Sequence, residues 1–461
     1  MHLLHPLDAP SIKRFTSMQT LSLMTVFRVA VGPAMALLPA SERFLTDTDT
    51  GMAKRELSKL FNEQLRSLKN LRDFSAQLQC HVNEHWSENL PPGDSARQIG
   101  LSSWVFDMLA YSMGTVFWGR KGPFGELLFR EQLRYISQFP RCCRLESIEA
   151  DYSCRVFIQN LEALRNPIFF LIPGSFRSAR DYVRRTLEQA AADGAYGDES
   201  QTPTLFQRLA LLYEAHGVAT DGFTDCHLVA IVGLLSNVIN IMAWAVCHIT
   251  ADKDLKATIL AELEAAVDAS TTIDAKEKEA DLRLDVDKVR GTCPLLLATW
   301  YELLRVYGDS PVARYVDKDS AFDAEYRVKR GSIIMTPMHL RNFNEAIWGP
   351  NADVFRPSRF LHKQSGYVDS GLVKHLEVFG LPGMHQCPGR YLAMNMFLAL
   401  VAKVILTFEI TPAHGSVLDV PRRKETMLGL PATASDPDVS VQRRPGVRSV
   451  HVGFEDVRPG W

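Results

Sequence analysis

The clearest chemical potential lies in Phe379-Gly380-Leu381-Pro382-Gly383-Met384-His385-Gln386-Cys387-Pro388-Gly389-Arg390. A strongly apolar run, Tyr391–Ile405, follows it and reads as a helix. Cys387 thus falls at a predicted helix start, with Pro388 at the first helical position, where a missing N–H costs nothing. Free N–H groups of a first turn and the helix dipole favour negative charge there, and such conditions lower a thiol's pKa. A thiolate so placed could ligate haem iron and donate the electron density that favours O–O cleavage. Gly383 and Gly389 would let the backbone approach a flat macrocycle, and His385 could reach a propionate. The same residues equally suit a buried structural cysteine beside an ordinary helix. The cysteine-proline-glycine step alone does not choose.

Two weaker patterns flank this loop. Glu302-Leu303-Leu304-Arg305 lies on a predicted helix, Pro294–Tyr307, and places a carboxylate and a guanidinium at i and i+3 on one face. Alone, this is the spacing of countless solvated surface pairs. Phe355-Arg356-Pro357-Ser358-Arg359-Phe360 follows, and Tyr326-Arg327-Val328-Lys329-Arg330-Gly331 and Trp348-Gly349-Pro350 stand between.

In this order and spacing the chain resembles the cytochromes P-450. Their haem signature is a phenylalanine- and glycine-rich loop ending in cysteine-x-glycine. The resemblance implies that Cys387 is the proximal ligand of haem b (iron protoporphyrin IX). It implies that His385 and Arg314 anchor propionates, and that Phe379, Gly383 and Gly389 shape the cofactor site. It makes Glu302, Arg305 and Arg359 a structural Glu–Arg–Arg triad beneath the haem. The signature's aromatic usually stands seven residues before the cysteine; Phe379 stands eight before it, so this loop is one residue longer, near Pro382.

Beyond the loop, the apolar run His227–Ile249 is long enough to cross a bilayer, at about 1.5 Å per residue. However, Gly233, Ser236, Asn237 and Asn240 cluster at its centre. Polar groups at mid-helix suit a buried central helix that lines a site. In the family this helix crosses the oxygen side with an acid followed by threonine. Here Ser236 replaces the acid and Asn237 the threonine, as in the branch of sterol 7α-hydroxylases, prostacyclin synthase and their fungal relatives. Gly233, Ser236 and Asn237 are therefore the expected distal residues, and Asn240 is expected to be a buried amide satisfied by backbone or water.

The elements that must position these residues are mostly helical. Asp47–Trp86, Asp107–Trp118, Gly125–Ser137, Ala179–Ala192, Thr204–His216 and Ala257–Val267 read as helices. Asp221–Thr224 is the expected cap of the long apolar helix, Gly194–Pro203 a loop, and the charge-rich Asp274–Asp287 a solvated connector. Short strands gather late: Ala313–Val316, Tyr326–Val328, Ser332–Met335, Phe408–Ile410 and Asp438–Gln442. The reading is a single mainly α domain with a minor β region over 1–461, in which 1–46 match the family poorly and 290–410 carry the haem-binding motifs. The usual N-terminal helix and first strands of the family are expected to be lacking.

Composition agrees with a globular protein of sizeable core: 46% hydrophobic and 23% charged residues. A formal net charge of −2 argues against a nucleic-acid partner. Eight cysteines include no CxxC pair and are too sparse for a disulfide scaffold, which favours a reducing compartment. Residues 21–40 are apolar but interrupted by Arg28 and by Pro33 to Pro39, so no membrane span is expected there.

These readings lead to a haem-thiolate monooxygenase that oxidises a lipophilic small molecule in specialised or sterol- and terpenoid-like metabolism. Electrons would come from NADPH through a separate cytochrome P-450 reductase, since no glycine-rich nucleotide loop is present. A place on the cytoplasmic side, peripheral to the endoplasmic reticulum membrane, follows from the resemblance. Two other classes stay open: a haem-thiolate peroxide isomerase or dehydratase, and a non-catalytic haem- or lipid-binding protein. The segments expected to line a pocket are Ile168–Ser175, Cys226–Ala230 and Gly308–Val312.

Overall fold

The computed structural model describes residues 2–3, 21–22, 35–46, 52–89, 95–137, 174–194, 204–268, 272–274, 279–308, 312–321, 327–336, 338–380, 386–415, 417–424 and 430–454. Its longer helices are α1 (Pro39–Thr46), α2 (Met52–Arg66), α3 (Leu68–Asn89), α4 (Leu101–Trp118), α5 (Leu127–Ser137), α6 (Gly174–Ala192), α7 (Leu205–Ala215), α8 (Thr220–Ala251), α9 (Lys253–Ala266), α10 (Val286–Thr292), α11 (Pro294–Tyr307) and α12 (Arg390–Thr407). The strands are β1 (His2–Leu3), β2 (Leu21–Ser22), β3 (Arg97–Gly100), β4 (Thr272–Asp274), β5 (Glu279–Asp285), β6 (Val312–Val316), β7 (Ser320–Ala321), β8 (Arg327–Val328), β9 (Ile333–Thr336), β10 (Phe408–Pro412), β11 (Asp438–Arg443) and β12 (Val447–Gly453).

Helix α8 is the axis of the molecule. It is apolar nearly all round, as a helix buried on every side must be. Leu228, Ile231, Leu235 and Trp244 are wholly buried, and α4, α6, α11 and α12 pack against it. Its first turn lies earlier than expected. The helix begins at Thr220 after Ala219, which provides no side-chain cap, so Asp221–Thr224 lie inside it. Asp225 instead ties α8 to its neighbours: its buried carboxylate accepts from the Leu38 N–H at 2.5 Å and pairs with Arg184 of α6 at 2.8 Å. Helices α8 and α12 are each long and apolar enough to cross a membrane, yet most of the apolar stretch of each is buried within the fold.

Side chains close the other helix starts that matter here. Thr204 and Gln207 form a reciprocal capping box on α7. Asp252 accepts from the N–H groups of Asp254 and Leu255 at the head of α9. Glu262 of α9 reaches across to accept from Leu295 and Leu296, at 2.9 and 3.2 Å, and so caps α11 behind Pro294. That bond fixes the helix carrying Glu302.

The strands form four small sheets. One has the order β1-β9-β6-β2, so the N-terminal segment does supply two short strands where none was expected. The others are the antiparallel β10-β11-β3, the mixed β12-β5-β4 and the β7-β8 pair. The expected helix Asp47–Trp86 is two helices divided at Ser67. The expected connector Asp274–Asp287 is also corrected: it contains β5 and the start of α10. Ala280, Leu282 and Leu284 alternate with charged residues along β5, the period of a half-buried strand, and β12 pairs with it in parallel. Counting charge obscured that alternation.

Helix α4 lacks a cap of its own and borrows Asp436 from just before β11. The carboxylate accepts from Ser102 N at 2.6 Å and Ser103 N at 3.1 Å. A Cβ at Gly100 would lie 2.5 Å from this carboxylate, so the cap and the glycine belong together. Asp436→Ala is expected to cost about 1–2 kcal/mol, a typical capping loss, seen as a lower urea midpoint with an unchanged slope.

Candidate functional site

Cys387 stands in a turn just before α12, and its main chain is fixed from both sides. Its N–H donates to the Phe379 carbonyl at 2.9 Å, closing the loop, while Gly380 takes a φ of 81° that favours glycine. Its carbonyl accepts from Arg390 Nη1 at 2.9 Å. Phe379 lies 6.3 Å from Trp300, which packs on Phe397 at 4.9 Å, so the loop rests on both α11 and α12. His385 and Gly383 lie outside the described residues.

Cys387 is exposed, and the space it is exposed to is a cavity of about 420 Å³. That volume falls within the roughly 300–1,000 Å³ of small-molecule and cofactor sites. Beside the sulfur the wall comprises Phe379, Pro388, Gly389, Leu392 and Ala393, with Leu57, Phe61 and Leu65 from α2. A Cβ on Gly389 would stand 3.8 Å from Cys387 Sγ and 3.9 Å from Leu65 Cδ1, at the cavity edge.

Helix α12 begins at Arg390, with Gly389 as its cap, so Pro388 is not its first residue. This corrects the expected acidity of Cys387. The apolar cavity wall around the exposed sulfur pushes the thiol above its ordinary value, although the Gly389 N–H, the Arg390 charge and the Arg390 N–H each draw it down. A bound metal would favour the anion, since it deprotonates a coordinating thiol outright.

Across the cavity, α8 contributes Val229, Ala230, Gly233, Leu234, Asn237 and Val238. A Cβ on Gly233 would meet nothing within 4 Å. Asn237 faces the same space, and its Oδ1 accepts from the Leu430 N–H at 2.7 Å. Since a peptide N–H can only donate, the Asn237 group left for a ligand is its NH₂. Ser236 does not line the cavity, contrary to its expected distal place. One residue from Asn237 it lies about 100° round the helix, and its hydroxyl donates to Val232 O at 2.6 Å. Asn240 is buried, with its Nδ2 donating to Leu430 O at 2.8 Å. Cys226 and Gly308 also line the cavity; residues 168–173 and 309–311 lie outside the described residues.

Glu302 and Arg305 are wholly buried on α11 and form a bidentate pair, with both N–O distances 2.7 Å. Arg359 Nε stands 3.4 Å from Glu302 Oε1, and Arg356 N donates to that oxygen at 2.7 Å. The spare guanidinium donors gather main-chain carbonyls: Arg305 binds Asn342 and Ala352, and Arg359 binds Trp348, Asn351 and Val354. The three charged side chains thus staple the 342–354 turn to α11. Arg314 is buried on β6 and donates to Ala313 O at 2.8 Å, but is not among the cavity residues. Burial brings its guanidinium down to about 10, still cationic at neutral pH.

The family model for cytochrome P450 matches residues 164–435, more than half of the chain. The chain belongs to the cytochrome P450 family. A crystal structure of a cytochrome P450 superposes with a TM-score of 0.60 over 95% of this chain and 88% of that one, at 14% identity, and shows the same fold. The cytochrome P450 monooxygenase nodJ of Hypoxylon pulicicidum is 30% identical over 48% of this chain and 43% of its own. The monooxygenase poxD of Penicillium oxalicum is 29% identical over 36% and 32%, and a Gibberella zeae monooxygenase is 24% identical over 52% and 45%. The chain thus spans less than half the length of these three relatives.

Family and fold imply haem, and the residues fit it. A P450 chain needs a sulfur at the wall of an apolar cavity, N–H groups near that sulfur, and no side chain filling the space beside it. Cys387, the N–H groups of Gly389 and Arg390, and Gly389 itself meet those needs. Sequence reasoning missed the α2 wall. Leu57, Phe61 and Leu65, spaced i, i+4 and i+8, form an apolar stripe that could have signalled it. It also missed Leu430, whose contact spans 193 residues and leaves no local pattern.

Glu302→Ala would leave two buried guanidiniums without their counter-charge, at a cost of roughly 3–5 kcal/mol. The expected outcome is a sharply lower thermal midpoint, with a smaller loss for Glu302→Gln, read by circular dichroism.

Proposed function

We propose that the chain is a haem-thiolate monooxygenase that hydroxylates a neutral, lipophilic small molecule. The observation carrying this reading is the single cavity shared by the Cys387 sulfur and the apolar face of α8. Among the described residues none of its lining side chains is charged; Tyr213, Cys226, Asn237 and Cys387 are its polar members. Such walls reward burial of apolar surface and offer no ion-pair partner for an acid or amine. That the relatives above are named cytochrome P450 monooxygenases of fungi supports the reading, and fungal specialised metabolism is its setting.

When bound, the haem supplies activation of O₂ and insertion of one oxygen atom into a C–H bond, the other leaving as water with two electrons from NADPH through a separate reductase. The chain's own residues do the rest. Cys387 would supply the sulfur that holds the haem, and its fixed main chain keeps that sulfur in place. Arg314, buried but outside the cavity lining, would supply a positive charge for a propionate, and Phe379 and Gly389 would shape the wall beside the sulfur; the family resemblance assigns His385 and Gly383 to the same site. The Glu302–Arg305–Arg359 staple keeps the region below rigid. Apolar residues of α2 and α8 exclude water from the reacting carbon, and Gly233 leaves room for it.

Asn237 in place of an alcohol supports kinship with the sterol 7α-hydroxylase and prostacyclin synthase branch. It also favours a second reading, isomerisation of a peroxide. An amide NH₂ has no easily transferred proton, and the neighbouring Ser236 hydroxyl is turned to Val232.

Reconstitution with a cytochrome P-450 reductase separates the two. The monooxygenase reading expects consumption of NADPH and O₂ with formation of an alcohol; turnover of a hydroperoxide without reductase or NADPH would establish the other. Gly233→Phe is expected to fill the open space and abolish either turnover while the haem spectrum remains.

A further inference from the structure

Residues 237, 240 and 244 occupy one stripe of α8, at i, i+3 and i+7. All three reach the same two residues, far away in sequence. Asn237 Oδ1 accepts from Leu430 N at 2.7 Å, and Asn240 Nδ2 donates to Leu430 O at 2.8 Å. Trp244 Nε1 donates to Pro431 O at 2.7 Å. The helix therefore reads the Leu430–Pro431 main chain as a neighbouring strand would, engaging both the donor and the acceptor of one residue. The lowest anchor is itself locked: Trp244 is wholly buried and stacks on Tyr307 with centroids 4.0 Å apart, and the Tyr307 hydroxyl meets His248 at 2.7 Å.

Leu430, Asn237 and Cys387 line one cavity, whereas Asn240 and Trp244 are not among its lining residues. The clamp thus works from behind the wall. We infer that the Asn237–Asn240–Trp244 stripe sets the height of Leu430 over the reacting position and so determines which ligands fit there. Asn237 and Asn240 are on this view positioning residues, and Leu430 is the specificity-determining one. The assignment accounts for two asparagines near the centre of an otherwise apolar helix. One satisfies the N–H of Leu430 and the other its C=O. It also leaves Asn237 only its NH₂ for a ligand, a group with no easily transferred proton, because its carbonyl is committed to Leu430.

The inference rests on the haem reading only for its ligand readout, so two measurements are paired. The first is independent of haem: amide hydrogen exchange at Leu430, which should quicken in Asn237→Ala because its N–H acceptor is gone. The second uses the haem-loaded protein and the ratio of dissociation constants for imidazole and 4-phenylimidazole, read by Soret titration. Asn240→Ala, which leaves the cavity lining untouched, should tighten the larger probe relative to the smaller by about fivefold, the worth of one net hydrogen bond. Leu430→Ala should shift the ratio in the same direction. In the double variant Asn240→Ala should add nothing, since its only route to the ligand is Leu430.

Additive effects, or an unchanged ratio in Asn240→Ala beside a shifted one in Leu430→Ala, would overturn the specificity assignment. Unchanged exchange at Leu430 in Asn237→Ala would overturn the clamp itself. Should the protein take up no haem, the azole titrations fall silent and the proposed function fails. The exchange experiment still decides the clamp, and the same size comparison is then read with the neutral dye Nile red against toluene. Asn237→Asp gives a further check. It keeps an acceptor for Leu430 N–H, so exchange protection should return, whereas loss of protection equal to that in Asn237→Ala contradicts the clamp.

Discussion

A sulfur must be held at the wall of a cavity that no charged side chain lines among the described residues, on a backbone hydrogen-bonded from both sides, and the rest of the structure serves that constraint. Hydrogen bonds to both the N–H and the C=O of Cys387 hold its peptide groups, one from the far side of the loop and one from the following helix. Apolar surroundings push the thiol's pKa up while the N–H groups of Gly389 and Arg390 draw it down, and a bound metal would favour the anion.

Rigidity beneath the loop comes from a buried carboxylate shared by two arginines. Buried ion pairs stabilise little in net terms, because desolvation offsets their attraction, but breaking one is costly. What the Glu302 group contributes is geometric. Its two arginines collect five main-chain carbonyls between Asn342 and Val354, a stretch with little regular structure to satisfy them. Glu262 then pins the head of the same helix from α9. The cavity roof uses a comparable device, with amides of α8 binding Leu430 in place of a strand.

Much of this was legible in the residues because the informative patterns are local. Glu302 and Arg305 lie three apart on one helix, Cys387 is followed by an uninterrupted apolar run, and Pro294–Tyr307 is bounded by proline and glycine. Features that depend on distant partners were not legible. Whether Ser236 or Asn237 faces the cavity is a matter of helix rotation, which the apolar residues around both do not reveal. The α4 cap comes from Asp436, more than three hundred residues away. The alternation in β5 was present, but its charged outward residues resembled a solvated linker until β12 paired with it. The thiol's acidity failed for a related reason: dipole arguments give the sign of one contribution, whereas burial, the larger one here, depends on what packs around the sulfur.

The most direct test of the central claim is the absorption spectrum of the purified, haem-reconstituted protein and of Cys387→Ser, each reduced under carbon monoxide. A cysteine sulfur bound to the iron predicts the red-shifted Soret band of a haem thiolate for the native chain and its disappearance in the serine variant. An identical Soret spectrum in both proteins, or no haem uptake by the native chain, would contradict it.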